Sequence, residues 1–209
     1  MGFSYLLPQQ ADIVTILGGM PEFRQGHFYL AGGAGLIFHL GHRQSPNLDF
    51  FTCHPFCPDD WYVILTRDFR ADIRHRRKGS LRVHLDGYPC NFYYYPFPLL
   101  DSLLAEGLPL ASLLDIGCMK LRALLSRQRK QDWVDLYQIS QRISWERLWE
   151  SYQIKYRSEA EQLIRLTAQL EELHHLDEDY TYPSAERHWP AAKAYFAKIR
   201  TYLNQQYGD

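Results

Sequence analysis

The chain has 209 residues, 46% of them hydrophobic, with 23 Lys and Arg against 24 Asp and Glu for a formal charge of −1. This composition excludes intrinsic disorder and supplies apolar surface for one substantial core, or for one core with an appended helical bundle. It also excludes a global basic field that would recruit nucleic acid or an anionic membrane, and no run of about 20 apolar residues offers a membrane span.

The stretch Ala11 to Met20 has apolar residues at helical spacing and predicts a short helix. His27-Phe28-Tyr29-Leu30-Ala31, compact and bounded by glycines, predicts a buried strand. Gly32-Gly33 then permits a tight turn with positive φ, after which Leu36, Ile37 and Leu40 fall at helical spacing and Gly41 closes the segment. A second short strand, Asn47 to Phe51, alternates so that Asn47, Asp49 and Phe51 share one face and Leu48 and Phe50 the other. Pro58 to Arg77 reads as a helix with a proline near its start and a cationic end, Arg74-His75-Arg76-Arg77-Lys78. Leu81 to Asp86 and Cys90 to Tyr95 flank a turn at Gly87 and predict a hairpin.

From Leu113 onward the pattern is helical: Leu113 to Ser126, Gln131 to Ser140, Trp145 to Tyr152, Glu159 to His174 and Trp189 to Gln206, with Asp177 to Pro190 as a loop. The expected class is therefore α+β, with residues 1–109 as a mixed sheet and its helices, and residues 110–209 as a helical region packed on that core. The N-terminus lacks the basic stretch, apolar run and cleavage site of a secretory signal, so the expectation is a cytoplasmic protein with no membrane partner. Cys53, Cys57, Cys90 and Cys118 are too scattered for a disulfide framework and are expected as thiols. Cys53-His54-x-x-Cys57 lacks the second ligand pair that a zinc finger needs.

The constellation that could carry chemistry begins at Ala31-Gly32-Gly33-Ala34-Gly35, where a glycine turn opens a helix and presents backbone N–H groups at its positive end, a cradle for an anion. Small residues there also serve close packing. A strand bearing Asp49 follows soon after, preceded by Gly41-His42-Arg43-x-Ser45. Arg43 and Ser45 either hold phosphate or order the loop, and His42, without a carboxylate to orient it, reads as structural. Phosphoryl and nucleotidyl transfer ask the protein chiefly for positioning and for carboxylates that hold magnesium, so this spacing suits them.

Phe28-Tyr29-Leu30-Ala31-Gly32-Gly33-Ala34 followed by Gly41-His42-Arg43-x-Ser45-x-Asn47-Leu48-Asp49-Phe50-Phe51 resembles the AbiEii/AbiGii-type nucleotidyltransferases, a branch of the DNA polymerase β-like superfamily. Gly87-Tyr88-Pro89-Cys90-Asn91-Phe92 resembles the strand carrying that family's third carboxylate. Asp115-Ile116-x-x-Met119-Lys120-Leu121 and Lys130-x-Asp132-x-x-Asp135-Leu136-Tyr137 resemble two later segments. The resemblance implies a nucleoside triphosphate held by Gly32, Gly33, Arg43, Ser45 and Lys120, with Asp132 and Asp135 as secondary site residues. It also implies magnesium on Asp49, and Asn47, Asp49 and Asn91 in the catalytic positions. By their own pattern, Asp132 and Asp135 would equally form helix ion pairs with Arg129 or Lys130.

Three positions depart from the family pattern. Ala34 replaces the Ser or Thr that holds a phosphate, Asn47 replaces the first Asp of Asp-x-Asp, and Asn91 replaces the third carboxylate. An amide keeps the size of a carboxylate and loses its charge, which lowers its attraction for a divalent cation. Asp86 is a substitute carboxylate, although its place beside Gly87 is already explained by turn chemistry. Two functions follow as expectations. One is an impaired nucleotidyltransferase acting on tRNA, another RNA or a protein, with the toxin role and antitoxin partner that the resemblance implies. The other is a non-catalytic descendant that binds a nucleotide, RNA or a protein. A third expectation is an interaction protein docking through the aromatic segment Phe92 to Phe97.

Overall fold

The computed structural model describes residues 6–105, 107–157, 160–179 and 181–207. Its elements run α1 (Pro8–Gly19), α2 (Pro21–Gln25), β1 (Tyr29–Ala31), α3 (Gly32–Leu40), β2 (Leu48–Thr52), α4 (Pro58–Leu65), β3 (Ala71–Arg77), β4 (Ser80–Leu85), β5 (Tyr88–Tyr94), β6 (Ser102–Ala105) and β7 (Leu108–Ala111). There follow α5 (Leu113–Ser126), α6 (Lys130–Ser140), α7 (Trp145–Tyr156), α8 (Ala160–Glu171), a 3-10 turn (Leu173–Leu176) and α9 (Pro183–Tyr207). The chain forms two compact units, Met1–Ile116 and Gly117–Asp209. Among the described residues, no helix is long and apolar enough to cross a membrane.

In the first unit seven strands form one mixed sheet in the order β3-β4-β5-β2-β1-β7-β6, with β1–β7 and β2–β5 parallel and the remaining pairs antiparallel. Strand alternation separates its faces. Leu30, Leu48, Phe50, Leu81, Val83, Cys90 and Phe92 point into a core that also takes Ile13, Val14 and Leu17 from α1, Phe23 from α2, Ile37 from α3 and Trp61 and Leu65 from α4. Its centre is aromatic: Phe28 stacks on Trp61 at 4.7 Å and Phe50 on Phe92 at 5.1 Å, with Phe23 edge-on to Phe50. Rings at these separations add about 1 kcal/mol per pair beyond their burial. The α+β class read from the sequence is the class observed.

Several elements differ from their sequence reading. The helix expected over Pro58 to Arg77 ends at Leu65, and Ala71–Arg77 is an edge strand, β3, paired with β4 from Ala71↔Leu85 to Arg77↔Ser80. All but the first of its residues are exposed, so it lacks the apolar alternation that reveals a strand, and cations on an edge are a common guard against unwanted pairing. The cationic end of a helix is thus a cationic sheet edge. Pro109, the expected domain boundary, lies inside β7, whose partners are β1 and β6. A proline within a strand argues against that assignment from sequence alone. The loop expected over Asp177 to Pro190 contains the first turns of α9, which starts with Pro183 and runs through Pro190.

The second unit is helical. Trp133 of α6 meets Phe196 of α9 edge-on at 4.8 Å, and Arg122 of α5 lies 4.8 Å over the Tyr156 ring of α7. Lys130, nearly fully buried, shares its three N–H groups among the Asp177 carbonyl at 3.0 Å, the Asp179 carbonyl at 3.3 Å and the two Glu186 carboxylate oxygens at 2.8 and 2.9 Å, tying the segment before α9 to α6.

His39, in the last turn of α3, joins that helix to β7 through a 2.8 Å hydrogen bond between Nε2 and the Ala111 carbonyl oxygen. Burial holds its imidazole below the ordinary value of 6.5, partly opposed by this bond. The unfolded chain therefore binds the proton more readily, so the stability His39 contributes is complete above about pH 6.5 and is lost as the pH falls towards the lower folded-state value. Urea unfolding between about pH 8 and about pH 5.5 should show a fall in stability that is shallower in His39→Gln; equal slopes would contradict this assignment.

Candidate functional site

The site is built where β1 hands over to α3. Ala31, the last residue of β1, pairs with Asp49 of β2, and Asp49 pairs in turn with Asn91 of β5. These register partners project from the same face of the sheet, opposite the aromatic core. Asn47, two residues before Asp49, projects the same way.

Both amides converge on one carboxylate oxygen. Asn47 Nδ2 donates to Asp49 Oδ1 at 2.8 Å, and Asn91 Nδ2 donates to the same oxygen at 2.8 Å. A carboxylate accepts and does not donate, so each amide must turn its NH₂ towards Asp49 and its carbonyl away. The other oxygen, Oδ2, faces the start of α3. A Cβ on Gly32, whose φ is +61°, would lie 2.9 Å from it. Glycine is required there twice over, by the positive φ and by the approach of the carboxylate. Asp49 thus stands at the positive end of a helix dipole, where a negative charge is stabilised.

Gly33 carries the second half of the site. A Cβ there would lie 2.9 Å from Arg43 Nη2 and 3.0 Å from Ser45 Oγ, so a guanidinium and a hydroxyl close over the first turn of α3 because nothing but hydrogen stands at Gly33. Both side chains are buried residues of the loop between α3 and β2. Arg43 Nη1 donates to the Gln44 carbonyl at 2.7 Å, and Ser45 Oγ donates to the Asn47 carbonyl at 3.0 Å. Helix N–H groups, a guanidinium and a hydroxyl converge here as an anion cradle.

Two supporting residues were not singled out in the sequence. Gln10 of α1 donates to the Ser45 carbonyl at 3.1 Å and to Tyr88 Oη at 2.6 Å, and the Tyr88 hydroxyl donates to the Ser45 carbonyl at 2.9 Å. Gln10 is 2% exposed, and a buried Gln at the start of a helix is the signal that could have identified it. Asp86 occupies the β4–β5 turn with φ +47°, where its carboxylate accepts from the Arg70 amide at 2.9 Å; it is a turn residue and does not join Asp49.

The remaining sequence candidates lie in the helical unit. Lys120 Nζ reaches Asp132 Oδ1 at 2.6 Å and Asp135 Oδ2 at 2.7 Å, so two carboxylates one turn apart on α6 neutralise one ammonium of α5. The ion pairs expected with Arg129 or Lys130 are made with Lys120 instead, and Arg127 Nε lies 3.4 Å from Asp132 Oδ2. Asp115, fully buried in the first unit, accepts from the Leu100 and Asp101 amides and from Ser112 Oγ, holding the chain before β6, while Ser112 Oγ accepts from the Asp115 amide at the start of α5.

The resemblance implies divalent cations, and the donor set can be tested against them. A two-metal centre needs several anionic oxygens facing the ions. Asp49 is the sole carboxylate of this group, and its Oδ1 already receives two N–H groups, which repel a cation. The side chains present do not fit a pair of divalent ions. Among the described residues, no cluster of three or more His, Cys, Asp or Glu side chains could hold a metal.

No family profile matches the chain. An uncharacterized protein of Aquifex aeolicus (strain VF5), aq_aa25, is 31% identical over 187 residues, covering 84% of this chain and 88% of the relative. A Helicobacter pylori protein described as a candidate nucleotidyltransferase superposes with a TM-score of 0.58 at 17% identity, covering 94% of each chain. JHP933 of Helicobacter pylori gives 0.56 at 17% identity, covering 96% of each. The likeness to these structures establishes a nucleotidyltransferase-type fold.

The Lys120 cluster makes a stability prediction. Removing the ammonium takes away the cation shared by two buried carboxylates, and breaking a buried pair this way costs about 3 kcal/mol or more. Lys120→Met should lose that much in urea unfolding, and adding Asp132→Asn with Asp135→Asn should restore most of it; an unchanged midpoint in the single variant would contradict the role.

Proposed function

The chain belongs to one family with the Aquifex aeolicus protein aq_aa25 and carries the nucleotidyltransferase-type fold, and we propose that it is a nucleotide-binding protein that does not perform two-metal nucleotidyl transfer. The observation that carries this reading is the double donation of Asn47 and Asn91 to Asp49 Oδ1. In a metal-dependent site that oxygen would face a cation and its neighbours would be carboxylates. Here the negative charge is satisfied by two neutral amides and the start of α3, with no ion required.

In this reading the phosphates of a nucleoside triphosphate lie at the first turn of α3. They accept from its backbone N–H groups at Gly33, from the Arg43 guanidinium and from the Ser45 hydroxyl once it turns from the Asn47 carbonyl. The guanidinium supplies a fixed cation, which takes over part of the charge neutralisation that magnesium gives a phosphate elsewhere. Ala34 offers no hydroxyl, so Ser45 is the hydroxyl nearest Gly33 that can serve. Gln10 and Tyr88 hold the Ser45 backbone in register. Lys120, Asp132 and Asp135 act as a structural clamp between α5 and α6.

Binding of each of the four ribonucleoside triphosphates, titrated calorimetrically in magnesium and in EDTA, tests the reading. At least one should bind in EDTA, and Arg43→Gln should weaken it at least tenfold, in keeping with the loss of about 1.5 kcal/mol or more from a charged hydrogen bond. Label transfer from the same triphosphates to pooled RNA should stay at background. If transfer occurs and Asp49→Ala abolishes it, the protein is an enzyme that tolerates amides, and the proposed reading fails.

A further inference from the structure

One charged surface is left unexplained by the nucleotide reading, and it lies on the same sheet face. Between Arg70 and Asp86 inclusive the chain places six Lys or Arg against two Asp, in a protein whose total charge is −1. The register continues the site row outwards: Asn91 pairs with Arg82 of β4, and Arg82 pairs with His75 of β3. Directly paired residues project to the same side, so Ala31, Asp49, Asn91, Arg82 and His75 form one line across the sheet.

The neighbouring line runs through Tyr29, Phe51, Tyr93, Ser80 and Arg77. Phe51 and Tyr93 lie with ring centroids 5.5 Å apart, and Tyr29 stacks on Phe51 at 6.1 Å. A line that ends in Arg82 and His75 thus lies beside a line of three rings that ends in Arg77.

The cations of this face are available. Arg77 and Arg82 are exposed, as is Lys78 in the turn between β3 and β4, and among the described residues Arg77 and Arg82 make no ion pair. Arg76, from the opposite face, is by contrast held by Asp59 of α4. Arg74, at the register shift between Ile73 and His75, meets His84 Nδ1 at 3.1 Å. Arginine only donates, so Nδ1 accepts and the imidazole proton sits on Nε2, a further donor.

We infer that the β3–β4 face, with the adjoining Phe51 and Tyr93 rings, binds single-stranded nucleic acid. Exposed cations across a twisted sheet attract a polyphosphate backbone, and rings set among them give bases a stacking platform without reading their sequence. An anionic membrane would meet the same cations, and the vesicle arm of the test below separates it from a single strand. The surface uses different side chains from the phosphate cradle, so the two readings can fail separately.

The test is fluorescence anisotropy of the full chain with a labelled mixed-sequence RNA of about 20 nucleotides, its DNA equivalent, the matching duplex, and vesicles of phosphatidylserine with phosphatidylcholine. Single strands should bind, more tightly than duplex. Arg77→Gln with Arg82→Gln should weaken binding on the order of tenfold and lower the slope of log K against log salt by about 1.4, while thermal unfolding and nucleotide binding stay unchanged. Phe51→Ala and Tyr93→Ala should weaken single-strand binding at an unaltered salt slope. Preference for RNA or for DNA names the strand. No single-strand binding, binding untouched by the arginine variants, or binding to vesicles in place of single strands overturns the proposal.

Discussion

A single carboxylate oxygen organises the sheet unit. Asp49 Oδ1 receives Asn47 from its own strand and Asn91 from the parallel neighbour, while Oδ2 stands against Gly32 at the start of α3. This arrangement needs three things at once: β2 and β5 in register, a glycine whose φ is positive, and a helix that begins at the residue after β1. The parallel pairing of β2 with β5 supplies the first, and the aromatic packing of Phe50 on Phe92 secures it from the other face. Disturbing the core face would therefore shift the polar face, because one strand carries both.

In the proposed reading, the charge balance at that centre sets the protein apart from a two-metal site. Three clustered carboxylates repel one another and need cations between them, whereas one carboxylate with two amides is self-sufficient. The amides retain the shape of the carboxylates that the resemblance leads one to expect, so the backbone and the cradle at Gly33, Arg43 and Ser45 persist without them. A fold can keep its phosphate-binding frame while its metal-binding set changes, since the first rests on backbone geometry and the second on side-chain charge.

Much of this was legible in the residues. The alternation of Asn47 to Phe51 revealed which side chains share a face, and the glycine turn, Asp49 and the hairpin to Asn91 could be placed because their periodicities agree with their burial. The elements that differ from their sequence pattern are those whose structure depends on distant partners. β3 carries no apolar alternation and is a strand only because β4 hydrogen bonds to it. β7 contains Pro109 yet pairs on both sides, and α9 accommodates Pro190. Within the site, sequence revealed the asparagines but not that both amides meet one oxygen. It did not identify Asp132 and Asp135 as the pair that neutralises Lys120.

Manganese binding, followed by electron paramagnetic resonance of the free ion, tests most directly whether amides have replaced cations at Asp49. The account predicts no tight manganese site dependent on Asp49 in the natural protein, and the appearance of one in the Asn47→Asp, Asn91→Asp double variant, where three carboxylates converge. Tight binding by the natural protein that Asp49→Asn removes would contradict it, since the amides would then be ligand neighbours of a metal and not its substitute.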